Sequence, residues 1–188
     1  MPNRLFSLLM SKTGERLKIP AVKVKELRDQ SGAGVMDCRN ALLEAEGDME
    51  KALQILKQKG FLQAQKKAKR SATQGVIEAY IHTGGRIGAM VEVNCETDFV
   101  ARTDEFKELA HNLAMQVAAV PPQFISVDDA PFADIIEPKV ACLLLQPYIK
   151  DPSKTVQDVI TETIAKVREN IKVNRFARFE LGKSWVNG

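Results

Sequence analysis

Cysteine is scarce and poorly spaced for chemistry: Cys38, Cys95 and Cys142 make no C-x-x-C pair, and their number is odd. Such usage implies buried, reduced thiols in a reducing compartment rather than a disulfide scaffold. The two histidines, His82 and His111, are far apart in sequence and give no zinc-ligand spacing, so turn or surface positions are expected for both and no metal is called for. No apolar run approaches the roughly 20 residues needed to span a bilayer, which excludes a membrane partner of that kind. The longest, Val140 to Leu145, suits a strand or a buried helical turn. A Gly-rich phosphate loop is also missing from any strand-to-helix junction: Gly84-Gly85 falls in an expected hairpin, and Ser31-Gly32-Ala33-Gly34 links two helices. There is no nucleophile elbow, no His-Glu-x-x-His and no paired carboxylates marked as general acid and base. An enzyme with a covalent or metal mechanism is the class least supported. A binding protein without a cofactor is the class that remains.

What is present is ordinary for a soluble globular protein: 45% hydrophobic and 27% charged residues, with 11 Gly and 8 Pro. A chain of 188 residues holds one domain of common size, or a small module joined to a larger core. The net charge of +3 is too mild to demand nucleic acid, so the placement of charge decides. Residues 1–19 carry Arg4, Lys12, Arg16 and Lys18 against Glu15, and read as a basic tail or the remnant of a targeting segment. Lys57, Lys59, Lys66, Lys67, Lys69 and Arg70 form a second basic stretch with no acid among residues 57–70. It is either a solvated linker helix or a contact for phosphates or an acidic surface. Phe61 is nearly its only aromatic, which argues against a stacking platform for single strands and makes nucleic acid a poor primary partner.

Along the chain the hydrophobic period changes once. Pro20 suits a first helical turn, Val24 and Leu27 give an inward stripe, and Ser31 to Gly34 should end the helix. A second helix carries Met36, Leu42 and Leu43 and ends near Gly47. Asp48 is a fitting N-cap for a third, with Leu53 and Leu56 inward and Gly60 as terminator. From Gly75 the period falls towards two: residues 76–81 and 86–93 read as strands joined by His82-Thr83-Gly84-Gly85. Thr103 caps a helix with Phe106, Leu109, Leu113 and Val117 on one face, ended by Pro121-Pro122. Thr155 and Asp158 make a capping box for a helix whose stripe runs Val156, Val159, Ile160, Ile164, Val167 and Ile171. A closing strand, 173–181, should join the hairpin. The order gives an α+β fold: an N-terminal three-helix bundle, then a small antiparallel sheet packed with helices. The expected divisions are a basic tail 1–19, a helical module 20–60, a basic linker 61–74, a core 75–182 and a tail 183–188.

Residues 92–102, Glu-Val-Asn-Cys-Glu-Thr-Asp-Phe-Val-Ala-Arg, hold the most functional information. An alternating strand should fade at Asn94, leaving Phe99 outside it. A ring at a strand exit either plugs the local core or projects as an anchor for a partner protein. Asp98 and Thr97 either cap a turn or meet that partner; Val100 is core or contact; Arg102 pairs with acids such as Asp104 or with the partner.

This run resembles the T-D-F-V signature of the elongation factor Ts family. The resemblance extends to Leu27-Arg28-Asp29-Gln30-Ser31-Gly32-Ala33-Gly34-Val35-Met36-Asp37-Cys38, similar to the family's amino-terminal signature, to Gln146-Pro147-Tyr148-Ile149-Lys150-Asp151, to Glu169-Asn170-Ile171, and to Arg175-Phe176-Ala177-Arg178-Phe179. Together these blocks span most of residues 21–182, and the hairpin resembles the cyanobacterial and plastid branch. The resemblance implies a UBA-like three-helix module, cytoplasmic or plastid location, and a guanine-nucleotide exchange factor for elongation factor Tu. It implies that Thr97, Asp98, Phe99 and Val100 meet that partner, the ring wedging near its magnesium and phosphate site to release GDP. It implies a second contact through Arg28, Val35, Met36 and Asp37, with Met36 otherwise expected in the core, and a possible homodimer. The chain departs from the family between Pro122 and Gln146, where a helical region of several dozen residues is shortened. That departure keeps two other readings open: a degenerate paralogue that binds elongation factor Tu without catalysing exchange, and an RNA-associated basic protein.

Overall fold

A computed structural model describes residues 18–129 and 137–183. The basic tail lies almost wholly outside the described residues, as do the carboxy-terminal tail beyond residue 183 and part of the region between Pro122 and Gln146 where a shortening is expected. The chain forms two compact units, dividing between Gln63 and Ala64.

In the first unit, α1 (Ala21–Ser31) and α2 (Val35–Glu44) are joined by a turn in which Gly32 takes a left-handed φ of 66°. Its N–H is thereby able to close on the Arg28 carbonyl at 2.8 Å, ending α1 where the sequence places the reversal. Asp48 caps α3 (Met49–Lys67) by accepting from the Lys51 N–H at 3.0 Å. Leu27, Leu42, Cys38, Ala41 and Ala52 form the buried core, with Leu53 and Leu56 packed against it. Two expectations are corrected. Gly60 does not terminate α3, which continues unbroken to Lys67; its intrinsic cost of about 1 kcal/mol is offset by good helix formers on both sides. Met36 is exposed, not core, because Cys38 and Leu42 take the inward positions of α2.

The second unit is a three-stranded antiparallel sheet with helices on one face. β1 (Gln74–Ile81) and β2 (Ile87–Cys95) form the expected hairpin, and β5 (Ile171–Glu180) pairs with β2, giving the order β1-β2-β5. Gly84 and Gly85 supply the positive φ that the hairpin turn requires. A bulge between Glu92 and Val93 inserts Asn174, so that Val93 meets Val173 while Glu92 meets Arg175. That extra residue lets Ile171, Val173 and Phe176 all pack on the core side despite the odd spacing between them. α5 (Asp104–Ala119), capped by Thr103, lays Phe106, Leu109, Leu113 and Val117 against the sheet. α7 (Val156–Val167) carries the capping box of Thr155 and Asp158 and buries Val156, Ile160 and Ile164. Its stripe is shorter than expected: Arg168 turns left-handed at φ 62°, and Ile171 begins β5 instead of extending the helix.

Between α5 and α7 the chain is zipped tightly. α6 (Pro138–Ala141) and a 3-10 turn at Leu143–Leu145 stand where a strand or helical turn is expected. Phe124 bridges Cys142 in parallel, and the Leu143 N–H donates to the Phe124 carbonyl at 2.9 Å. Behind it, Gln116 and Gln146 are fully buried and bonded to each other at 3.0 Å; Gln146 also donates to the Val140 carbonyl at 2.7 Å, and Gln116 accepts from the Ile149 N–H at 2.9 Å. The remaining pair of strands, β3 (Pro147–Tyr148) and β4 (Asp151–Thr155), leads into α7.

Candidate functional site

The turn after β2 is built from a short helix, α4 (Asp98–Ala101), whose N-cap is Thr97. Thr97 fits that position because its hydroxyl oxygen can accept from the Val100 N–H, here at 3.3 Å. Asp98, one residue further, has its negative charge at the positive end of the turn. One turn of helix then sorts the side chains. Val100 and Ala101 drop into the core, Val100 being only 7% exposed, while Phe99 points away from it and is 78% exposed. The plug reading of Phe99 is thereby overturned: the ring is left in water on a well-packed turn, the exposure that an anchor for a partner requires.

Asp98 is also exposed, and its carboxylate accepts from the Arg102 guanidinium at 2.8 Å. Arg102 therefore pairs with Asp98 one turn away, not with Asp104. Val100, grouped with the contact residues on sequence grounds, has little surface to offer and instead anchors the turn. Thr97 serves mainly as cap: its hydroxyl donates to Glu169 at 2.7 Å while accepting from Val100. Thr97, Asp98, Phe99 and Arg102 are all exposed, Thr97 and Arg102 being tied to Glu169 and Asp98, so that Phe99 is the one large apolar side chain this turn offers to a partner.

The setting is charged. Glu96 accepts from the Arg70 guanidinium at 3.4 Å. The Lys67 ammonium is held below its ordinary pKa, first by burial and then by Arg70 and Arg168, with Glu96 and Glu169 opposing. The Cys95 thiol is pushed up by burial and then by Glu169. A thiol held protonated in this way is no nucleophile. Among the described residues no group of His, Cys, Asp and Glu could hold a metal ion, and no helix is long and apolar enough to cross a membrane.

In the first unit, Val35 and Met36 stand side by side at the start of α2, 49% and 60% exposed, with Asp37 next to them and Arg28 exposed near the end of α1. The site residues thus fall into two groups, one in each unit. Sequence reasoning placed Glu169 and Asn170 in a family-like block but gave them no role; they bind the signature turn from more than 70 residues away. Neither is found by periodicity, because both lie in the short connection between α7 and β5.

With this geometry in place, comparison with known proteins is specific. A family model described as Elongation factor TS matches residues 23–139. The chain is 51% identical over 195 aligned positions to elongation factor Ts of Carboxydothermus hydrogenoformans, covering 88% of this chain and 90% of that one. The same factor from Thermoanaerobacter sp. is 50% identical, with 88% and 96% covered, and that of Thermotoga neapolitana 49%, with 85% and 95% covered. Since 88% of 188 residues is about 165, roughly 30 of the 195 positions aligned with the Carboxydothermus protein have no counterpart here.

Proposed function

The chain belongs to the elongation factor Ts family, a family of translation elongation factors, and from that premise we propose that it binds elongation factor Tu and promotes release of GDP. The observation that carries the reading is Phe99, a large ring 78% exposed on a turn whose neighbours are capped and buried. Asp98 and Phe99 enter the partner beside its magnesium and phosphate site. Binding is differential: the factor favours a conformation of the partner in which those contacts to GDP are broken. Coupling of this kind is reciprocal, so GDP weakens the factor as much as the factor weakens GDP. A thousandfold loss of nucleotide affinity corresponds to about 4 kcal/mol. Burial of the ring supplies about 2 kcal/mol of it, and the disrupted magnesium and phosphate contacts supply the rest.

The module of residues 20–60 gives the second contact, through Arg28, Val35, Met36 and Asp37; the exposed Val35–Met36 pair is its apolar edge. Self-association uses the outer face of the sheet. Pairing of Ala79 with Met90, Ile81 with Gly88 and Gly88 with Phe179 places these residues on one face, where Ile77, Ile81, Met90 and Phe179 are exposed. The protein works without a cofactor or covalent intermediate, in the cytoplasm of a bacterium or in a plastid stroma.

Stopped-flow release of fluorescent GDP from elongation factor Tu tests the reading. The chain should accelerate release and its Phe99→Ala variant should not. Binding without acceleration would instead favour the degenerate paralogue, a reading supported by the roughly 30 aligned positions this chain lacks.

A further inference from the structure

The ladder between β2 and β5 ends at the pair Cys95 and Ile171, yet the two chains remain bonded for two residues more. They do so through side chains. The Glu96 carboxylate accepts from the Asn170 N–H at 2.7 Å. In return the Glu169 carboxylate accepts from the Glu96 N–H at 3.2 Å and the Thr97 N–H at 3.0 Å, and its other oxygen accepts from the Thr97 hydroxyl at 2.7 Å. Asn170, only 2% exposed, donates to the Arg70 carbonyl at 2.9 Å and so fixes the connector that feeds β1. The bonds of Glu169 and of the Asn170 N–H converge on Glu96 and Thr97, the two residues preceding Asp98.

From this geometry we infer that Glu169 is a positioning residue for nucleotide exchange, a role that rests on reading Phe99 as the wedge. The left-handed Arg168 turns the chain so that Glu169 reaches across to the end of β2. Its carboxylate fixes both the backbone and the hydroxyl of the N-cap, and a fixed N-cap sets the direction of α4. Phe99, with no packing of its own to hold it, takes its direction from that clamp. Ordering the turn before the partner arrives removes a conformational cost from binding. The cations Lys67, Arg70 and Arg168 around the site offset the repulsion of two neighbouring carboxylates.

The experiment compares the full chain with Glu169→Ala and Glu169→Gln by amide hydrogen exchange and by GDP release from elongation factor Tu. Glutamine retains an oxygen for the backbone N–H groups and an N–H for the Thr97 hydroxyl; alanine retains neither. Amides of residues 96–103 should exchange about tenfold faster or more in Glu169→Ala, with those of β2 unchanged and Glu169→Gln near the parent. Release should slow about tenfold in Glu169→Ala and recover in Glu169→Gln. Unchanged protection in Glu169→Ala overturns the inference. So does release by Glu169→Ala equal to that of the parent, since the turn would then need no clamp. If the parent chain fails to accelerate release, the exchange reading falls, and amide protection alone decides whether Glu169 is the clamp.

Discussion

Phe99 and Val100 are adjacent in the chain and have opposite energetics. Val100 packs in the core, so Val100→Ala should lower unfolding free energy by roughly 1–3 kcal/mol. Phe99 contributes little to the fold from its exposed position, and Phe99→Ala should leave stability within about 0.5 kcal/mol in urea titration while abolishing exchange. Arg102→Ala bears on the same turn: it unties Asp98 from a pair exposed on both sides, which should alter stability by less than about 1 kcal/mol. Burial pushes the thiols of Cys95 and Cys142 up, so both stay protonated to higher pH than a free cysteine. Alkylation under native conditions at about pH 8 should be slow at both and become fast only when urea opens the core.

Among elements, α7 and the β2–β5 pair have the clearest local determinants. Thr155→Ala removes one half of a reciprocal capping box and should cost about 1 kcal/mol, measured as a shift of the urea midpoint. On the outer face of the sheet, Glu92 accepts from Arg175 at 2.6 Å and from Asn174 at 2.9 Å. Those bonds, that of Arg175 foremost, hold its carboxyl below the ordinary value of 4.5. A carboxylate depressed in the fold stabilises at pH above its ordinary value, and the contribution disappears as pH falls through the folded value. Glu92→Gln should therefore melt below the parent at about pH 7, and the two melting temperatures should converge as pH is lowered to about 3. Gly75 is a third determinant: a Cβ there would stand 2.0 Å from the Val93 carbonyl oxygen, a clash with backbone that only glycine avoids.

For the molecule as a whole, the consequential features are the roughly 30 aligned positions without a counterpart in this chain and the open face of the sheet. The described residues after α5 are tied together by the Phe124–Cys142 bridge and the buried Gln116–Gln146 pair. The apolar residues on the far side of the sheet remain exposed, and the proposed self-association follows from them. Met90→Lys should shift sedimentation equilibrium towards the monomer with unchanged far-UV circular dichroism. A parent chain that is monomeric at all concentrations would remove the dimer from the proposal.

The longer elements were legible in the residues: the hairpin from its glycines, α5 and α7 from threonine caps and apolar stripes, the α+β order from a single change of period; the short α4, α6, β3 and β4 were not. The signature turn was legible as a motif. The misreadings were at places where one local signal competed with another. Gly60 carries a stop signal that the flanking helix formers outweigh, and Ile171 continues a helical spacing that a left-handed Arg168 interrupts. What the sequence by itself determined is the long elements, because caps, turns and periodicity act over a few residues, and the family, because its motifs are contiguous runs of residues. Only the tertiary structure decided that Phe99 faces water while Val100 faces the core, and that Glu169 holds the turn between them. Both depend on which surfaces the sheet and helices cover, and on a hydrogen-bonded contact between residues more than 70 positions apart.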